Sequence, residues 1–233
     1  MVFFDPVYLL IMAPVLLFTL YAQFKVNRTY KKYADIAPAS GVTGAQAGRR
    51  LLDMKNLTDV AVDEVPGKLT DHYEPRTRIL RLSTGVYNTS SISALGIAAH
   101  EAGHAVQDRT KYWPMAVRSG LVPVANIGSR MAWPLFFLGI ILVGWFRTPY
   151  GYLIMYTAIL VFAVAVMFYV VTLPVEFNAS RRGLAMLSES GLVTEEERYA
   201  ARRVLSAAAM TYLAAAATAV MTLLYMIIRA QER

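Results

Sequence analysis

The stretch SSISALGIAAHEAGHAVQD, Ser90 to Asp108, decides how the chain is read. Ala, Leu and Ile fill it, Thr89, Ser90 or Ser91 can cap its start, and nothing breaks it, so it predicts a long helix. His100 and His104 are four residues apart on that helix. They project from one face, one turn apart, at a separation that a single metal ion can bridge. Glu101 follows the first histidine and is placed to act as general base on a water that the metal activates. A helix packed with Ala94, Leu95, Ile97, Ala98 and Ala99 has no structural use for two imidazoles and a carboxylate.

Outward from this helix the chain turns strongly apolar. Of its 233 residues 56% are hydrophobic and 17% charged, against roughly 25% charged in an ordinary soluble domain. The apolar excess is segregated into uncharged runs at 6–24, 131–146, 148–175 and 204–228. A helix needs roughly 17 to 25 residues to cross the hydrocarbon of a bilayer. Three runs reach that length, and 131–146 does so when extended backward across Arg130. A soluble protein with apolar core helices would have shorter runs. The first run follows Asp5 rather than a basic segment and has large residues near its end, so it reads as an uncleaved anchor, not a signal peptide.

With four spans, the segments 25–118 and 176–203 fall on the same face of the membrane whichever way the chain is oriented, so both can contribute to one site. Lys25, Arg28, Lys31 and Lys32 after the first span, and Arg181, Arg182, Arg198, Arg202 and Arg203 between the third and fourth, put that face in the cytoplasm. The net charge of +7 therefore reads as membrane orientation and not as nucleic-acid binding. The absence of cysteine excludes disulfides, thiolate metal sites and thiol nucleophiles.

The expected organisation is a membrane anchor at 1–24, a catalytic region carrying the zinc helix at 25–118, and a two-span hairpin at 119–175. A second catalytic region follows at 176–203 and a last span at 204–233. Within 25–118, Gly41–Asn56 has the spacing of an amphipathic helix capped by Thr43 or Ser40. Val60–Val65 and Leu69–Tyr73, separated by Pro66-Gly67, read as a small hairpin. Arg78–Ser83 alternates basic and apolar side chains as a half-buried strand does. Tyr212 to Met221 is alanine-rich, and Ala208 and Ala215 with their small neighbours suit either close helix packing or contact with lipid. The fold class is mainly α: a polytopic membrane protein with about four transmembrane helices and a small zincin-like α+β cytoplasmic catalytic domain.

One Zn²⁺ per chain with an open position needs a third protein ligand beside His100 and His104. Glu176, a lone carboxylate at the edge of an apolar run behind Pro174, is the leading candidate. His72 competes as ligand, as a group lining the site or binding substrate, and as a satisfied turn residue.

Asp71-His72-Tyr73-Glu74-Pro75, Leu82-Ser83, Val86-Tyr87, the helix from Ala99 to Asp108 and Leu173-Pro174-Val175-Glu176-Phe177-Asn178-Ala179-Ser180 together resemble the YugP-type neutral zinc metallopeptidases of bacterial membranes. The resemblance spans nearly the whole chain. It extends to the wider gluzincin group that includes membrane proteases of the HtpX and CAAX-prenyl type. It implies His100, His104 and Glu176 as ligands and Glu101 as the catalytic glutamate. The wider group usually has an aspartate four positions after the third ligand; here Ser180 stands there, able to hydrogen-bond a ligating histidine without a carboxylate's charge. Arg181 and Arg182 are close enough on that helix to bind a substrate carboxylate or stabilise an oxyanion, or else anchor the span end. The same likeness implies that strand Arg78–Ser83 is an edge that pairs with extended substrate.

The expected activity is zinc-dependent endopeptidase action on membrane or membrane-proximal polypeptides at the cell (inner) membrane, with the site on the cytoplasmic side. The alternatives are a narrow-substrate processing peptidase and a non-proteolytic zinc-containing membrane adaptor or chaperone. The expected partners are a polypeptide substrate and the bilayer, with a protein regulator or adaptor left open and no nucleic acid. Oligomeric state is not legible in the sequence.

Overall fold

The computed structural model describes residues 5–231. In chain order its elements are α1 (Pro6–Ala34), α2 (Gly44–Met54), β1 (Ala61–Val65), β2 (His72–Glu74), β3 (Ile79–Ser83), α3 (Thr84–Tyr87), α4 (Ile92–Arg109), α5 (Trp113–Gly144), α6 (Tyr150–Glu189) and α7 (Glu195–Gln231). Four of them, α1, α5, α6 and α7, are long and apolar enough to cross a membrane. The protein is thus a mainly helical, polytopic chain with one small sheet. Each long helix runs past its uncharged stretch: α6 continues from 148–175 through Pro174 and the Glu176 region without interruption.

The chain divides into two compact units. One takes the beginning of α1 up to Tyr21, the segment Ala116–Leu173 and the end of α7 from Tyr212. Its interior holds Ala132, Phe136, Met155, Ala158, Phe162 and Met226. α5 and α6 approach so closely there that a Cβ on Gly139 would collide with Met155 and with the Gly151 carbonyl. Leu9, Leu10, Leu16, Leu17 and Leu20 are exposed on α1, an outward apolar face of the kind that lipid accepts and water does not. Along α7, Ala214, Ala216 and Ala219 are buried while Ala215 is exposed, so these alanines serve both packing and outer surface.

The other unit comprises Ala22–Met115 and Pro174–Thr211. Thr43 caps α2 in a reciprocal box: its hydroxyl accepts from Gln46 N–H, and the Gln46 side chain accepts from Thr43 N–H. Leu51 and Leu52 of α2, Leu80 and Leu82 of β3, and Leu95, Ala98 and Ala99 of α4 form a fully buried core. Arg49 ties α2 to the chain entering β1 by donating to the carbonyls of Leu57 and Val60. α4 starts at the Ser91 cap, whose hydroxyl accepts from Ala94 N–H.

The sheet departs from expectation. β1 and β2 do not pair as a hairpin; the strand order is β1-β3-β2, with β1 parallel and β2 antiparallel to β3. β3 takes the centre because it is the most apolar of the three, with Leu80 and Leu82 fully buried, whereas β1 is largely exposed. The same order corrects the reading of Arg78–Ser83 as a substrate-pairing edge. Over Ile79–Arg81 both sides of β3 are paired, Leu82 and Ser83 have a strand partner only in β1, and the open edges of the sheet belong to β1 and β2.

Candidate metal centre

Two helices of the second unit build the site, α4 and the part of α6 beyond Pro174. They touch at glycines. A Cβ on Gly103 would run into the Ala179 carbonyl oxygen, and one on Gly183 into the Ala99 carbonyl oxygen. Only a hydrogen at both positions lets the two backbones come this close. The close crossing brings the face that carries His100 and His104 up to Glu176.

His100 Nε2 lies 3.1 Å and His104 Nε2 3.5 Å from Glu176 Oε2. The two imidazoles stand edge to face, their centroids 4.7 Å apart. Among the described residues, this trio is the group of His and carboxylate side chains whose donor atoms all fall within 4.8 Å of one another. All three are well shielded, Glu176 at 2% exposure. Glu101 is buried on the same helix beside the first histidine.

The rest of the shell decides which nitrogen faces the centre. Ser180, one turn after Glu176 on α6, places its Oγ 3.0 Å from His100 Nδ1. His104 Nδ1 is 2.9 Å from Gln107 Oε1. Gln107 is fully buried, and its Nε2 donates to the Val175 carbonyl and to Asn178 Oδ1. Asn178 Oδ1 also accepts from Arg182 Nε at 2.7 Å. A guanidinium only donates, so Asn178 Oδ1 accepts from both Arg182 and Gln107 Nε2, which turns the Gln107 Oε1 acceptor toward His104 Nδ1. In the neutral ring this puts the proton on His104 Nδ1 and the lone pair on Nε2, toward Glu176. Burial disfavours charge on His104. The hydrogen bond that a protonated Nε2 donates to Glu176 and the nearby carboxylates of Glu101 and Glu176 outweigh burial and raise its pKa, so the surroundings of His104 favour a cation.

These residues fit a zinc ion. Two imidazole nitrogens and one carboxylate oxygen form a donor set of catalytic zinc, and the remaining imidazole nitrogens are engaged by partners that orient the rings.

The other sequence candidates fall elsewhere. His72 is exposed on β2, with Nδ1 2.8 Å from the Thr70 carbonyl oxygen, and does not join the cluster. Arg182 is held by Asn178 and lies over the Tyr112 ring, 5.8 Å from its centroid. Arg181, one position before it, is exposed. Gln107 and Asn178 were not singled out in the sequence. Their signal, polar residues at helical spacing from His104 and Glu176, is shared by many solvent-facing positions.

A family described as "Putative neutral zinc metallopeptidase" matches residues 8–231. The chain belongs to this family. A relative within reach of this family, "Putative membrane protease YugP" of Bacillus subtilis (strain 168), is 44% identical over 204 residues, 88% of each chain. No solved structure matches significantly. The clustered histidines and glutamate of this zinc-peptidase family member therefore lie in a chain whose relative is named a membrane protease, in agreement with its four apolar helices.

Proposed function

We propose that the chain is a zinc-dependent endopeptidase that hydrolyses peptide bonds of membrane or membrane-proximal polypeptides. The observation that carries this reading is the convergence of His100, His104 and Glu176 within 4.8 Å, next to a buried Glu101. His100 Nε2, His104 Nε2 and a Glu176 carboxylate oxygen hold one zinc ion. The metal, when bound, supplies Lewis-acid polarisation of water and of the scissile carbonyl.

The protein's own part is proton transfer and orientation. A Glu101 carboxylate oxygen takes the proton of the attacking water and delivers it to the leaving amine nitrogen. Ser180 and Gln107 hold the two imidazoles in register, so the ligand geometry is set before substrate arrives. This arrangement is of the gluzincin kind, with a His-Glu-x-x-His helix and a glutamate on a second helix. The site belongs to the cytoplasmic face of the cell (inner) membrane, supported by Lys25, Arg28, Lys31 and Lys32 at the end of the first uncharged run. Catalytic regions at 25–118 and 176–203 share it, joined by the hairpin 119–175 and flanked by the spans 1–24 and 204–233.

Glu101→Gln separates an enzyme from a membrane adaptor that keeps zinc for structure. Parent and variant are assayed in detergent with zinc against unfolded model proteins and membrane-protein fragments, and the metal content of both is measured. Cleavage by the parent alone, at equal zinc content, is the expected result. Equal cleavage by both removes Glu101 from the mechanism.

A further inference from the structure

Two basic helix faces meet in the second unit. Lys25, Arg28 and Lys32 recur at three- and four-residue spacing along α1, and Tyr199, Arg202 and Arg203 do so along α7. All six line one open cleft of about 680 Å³, and no carboxylate stands among its described lining residues. Three of the cations rest on aromatic groups: Arg28 lies over the Phe24 ring, Lys32 over the Tyr33 ring, and Arg203 over Tyr199 while donating to its hydroxyl at 3.1 Å. Such contacts orient a cation and leave its charge uncancelled.

The cleft also has a defined level. Lys25 is the first charge after the uncharged run 6–24, and Arg203 is the last before the uncharged run 204–228. Both helices are long and apolar enough to span, so both leave the hydrocarbon at the cleft, where lipid phosphates lie. The positive-inside bias accounts for basic residues after a span. It does not account for two segments distant in sequence lining one cleft with their cations.

We propose that this cleft binds the phosphate of an anionic phospholipid headgroup, of the phosphatidylglycerol kind. Guanidinium groups of Arg28, Arg202 and Arg203 suit paired hydrogen bonds to phosphate oxygens, and Lys25 and Lys32 add point charges. A free phosphate ion shares this chemistry but lacks the acyl chains that the apolar lengths of α1 and α7 would meet. The site is independent of zinc and of peptide hydrolysis.

The test is native mass spectrometry of the full chain in neutral detergent, titrated separately with dioleoyl phosphatidylglycerol, dioleoyl phosphatidylcholine and inorganic phosphate. Phosphatidylglycerol is expected to be retained about 10-fold more tightly than phosphatidylcholine, and the preference should fall by about the same factor in Arg202→Gln/Arg203→Gln. Lys25→Gln/Lys32→Gln, on the other helix, should reproduce the loss even where the arginine pair folds poorly. Lys68→Gln/Arg76→Gln, the same charge change at exposed positions near the sheet, should retain the parent's preference. Equal retention of the two lipids, or parental preference in both cleft variants, overturns the proposal. Displacement of phosphatidylglycerol by equimolar inorganic phosphate overturns it in favour of a free-phosphate site.

Discussion

Gln107 Oε1 lies 2.9 Å from His104 Nδ1, and Gln107 can present that oxygen only because Val175 and Asn178 take both hydrogens of its amide nitrogen. The tautomer of a histidine on α4 is thereby set by the backbone and side chains of α6. Gln107→Met keeps the volume and removes the acceptor, freeing the ring to rotate and to place its proton on either nitrogen. Zinc affinity, read by competition with a chelator, should fall about 10- to 100-fold. Asn178→Ala should lower it by less, since Val175 still holds the Gln107 amide. An unchanged affinity in Gln107→Met would show that the ring is oriented by packing alone.

The close crossing of α4 and α6 depends on two hydrogens. Gly183→Ala puts a methyl carbon against the Ala99 carbonyl, and Gly103→Ala puts one against that of Ala179. Overpacking in a core costs about 1–3 kcal/mol, and here the opposing atoms are backbone, which yields less readily than a side chain. Each variant should melt earlier than the parent and bind zinc more weakly, because the crossing that places Glu176 beside the histidines has been wedged apart. Gly120→Ala, which meets nothing within 4 Å, is the control and should do neither.

These two glycines mark the limit of what the sequence discloses. α2 and α4 were legible, with Thr43 and Ser91 each among the caps the sequence offered, because capping and amphipathic spacing are local. The four long helices were legible because charge is absent from most of each span. The sheet order was not: Ala61 of β1 pairs in parallel with Ile79 of β3, with all of β2 lying between them in the chain, and no local periodicity encodes that choice. Gly103 is one of the two residues between Glu101 and His104, and nothing local to it or to Gln107 encodes a contact with α6. Their roles exist only once α6 is laid against α4.

Asp71 sits at the entrance to β2, where its carboxylate accepts from the Ser83 backbone N–H at 2.7 Å and from the Ser83 hydroxyl. Burial pushes its pKa above the ordinary carboxylate value, although the Ser83 bonds pull the other way. With the folded pKa above the unfolded one, the folded state binds the proton more readily, so stability rises as pH falls through the folded pKa. Asp71→Asn keeps an acceptor for Ser83 and cannot titrate. Relative to the variant, the parent should gain thermal stability between pH 7 and pH 4. A parent-to-variant difference in melting temperature that stays constant over that range would mean the carboxyl is not desolvated in the folded protein.

Glu176 and His72 make opposite predictions for metal binding. Glu176→Ala deletes the oxygen that both Nε2 atoms approach and leaves two imidazoles on one helix. Bound zinc after dialysis should fall well below the parent's, and the affinity of what remains should drop by more than about 100-fold, beyond the loss expected from an orienting residue. His72→Ala should leave both quantities at the parent's values, because its ring is exposed on β2 and engaged with the Thr70 carbonyl. Its effect, if any, should appear in KM for polypeptide substrate, since β2 presents one of the two open edges of the sheet. Loss of zinc in His72→Ala with retention in Glu176→Ala would reverse the ligand assignment and move the third ligand from α6 to the sheet.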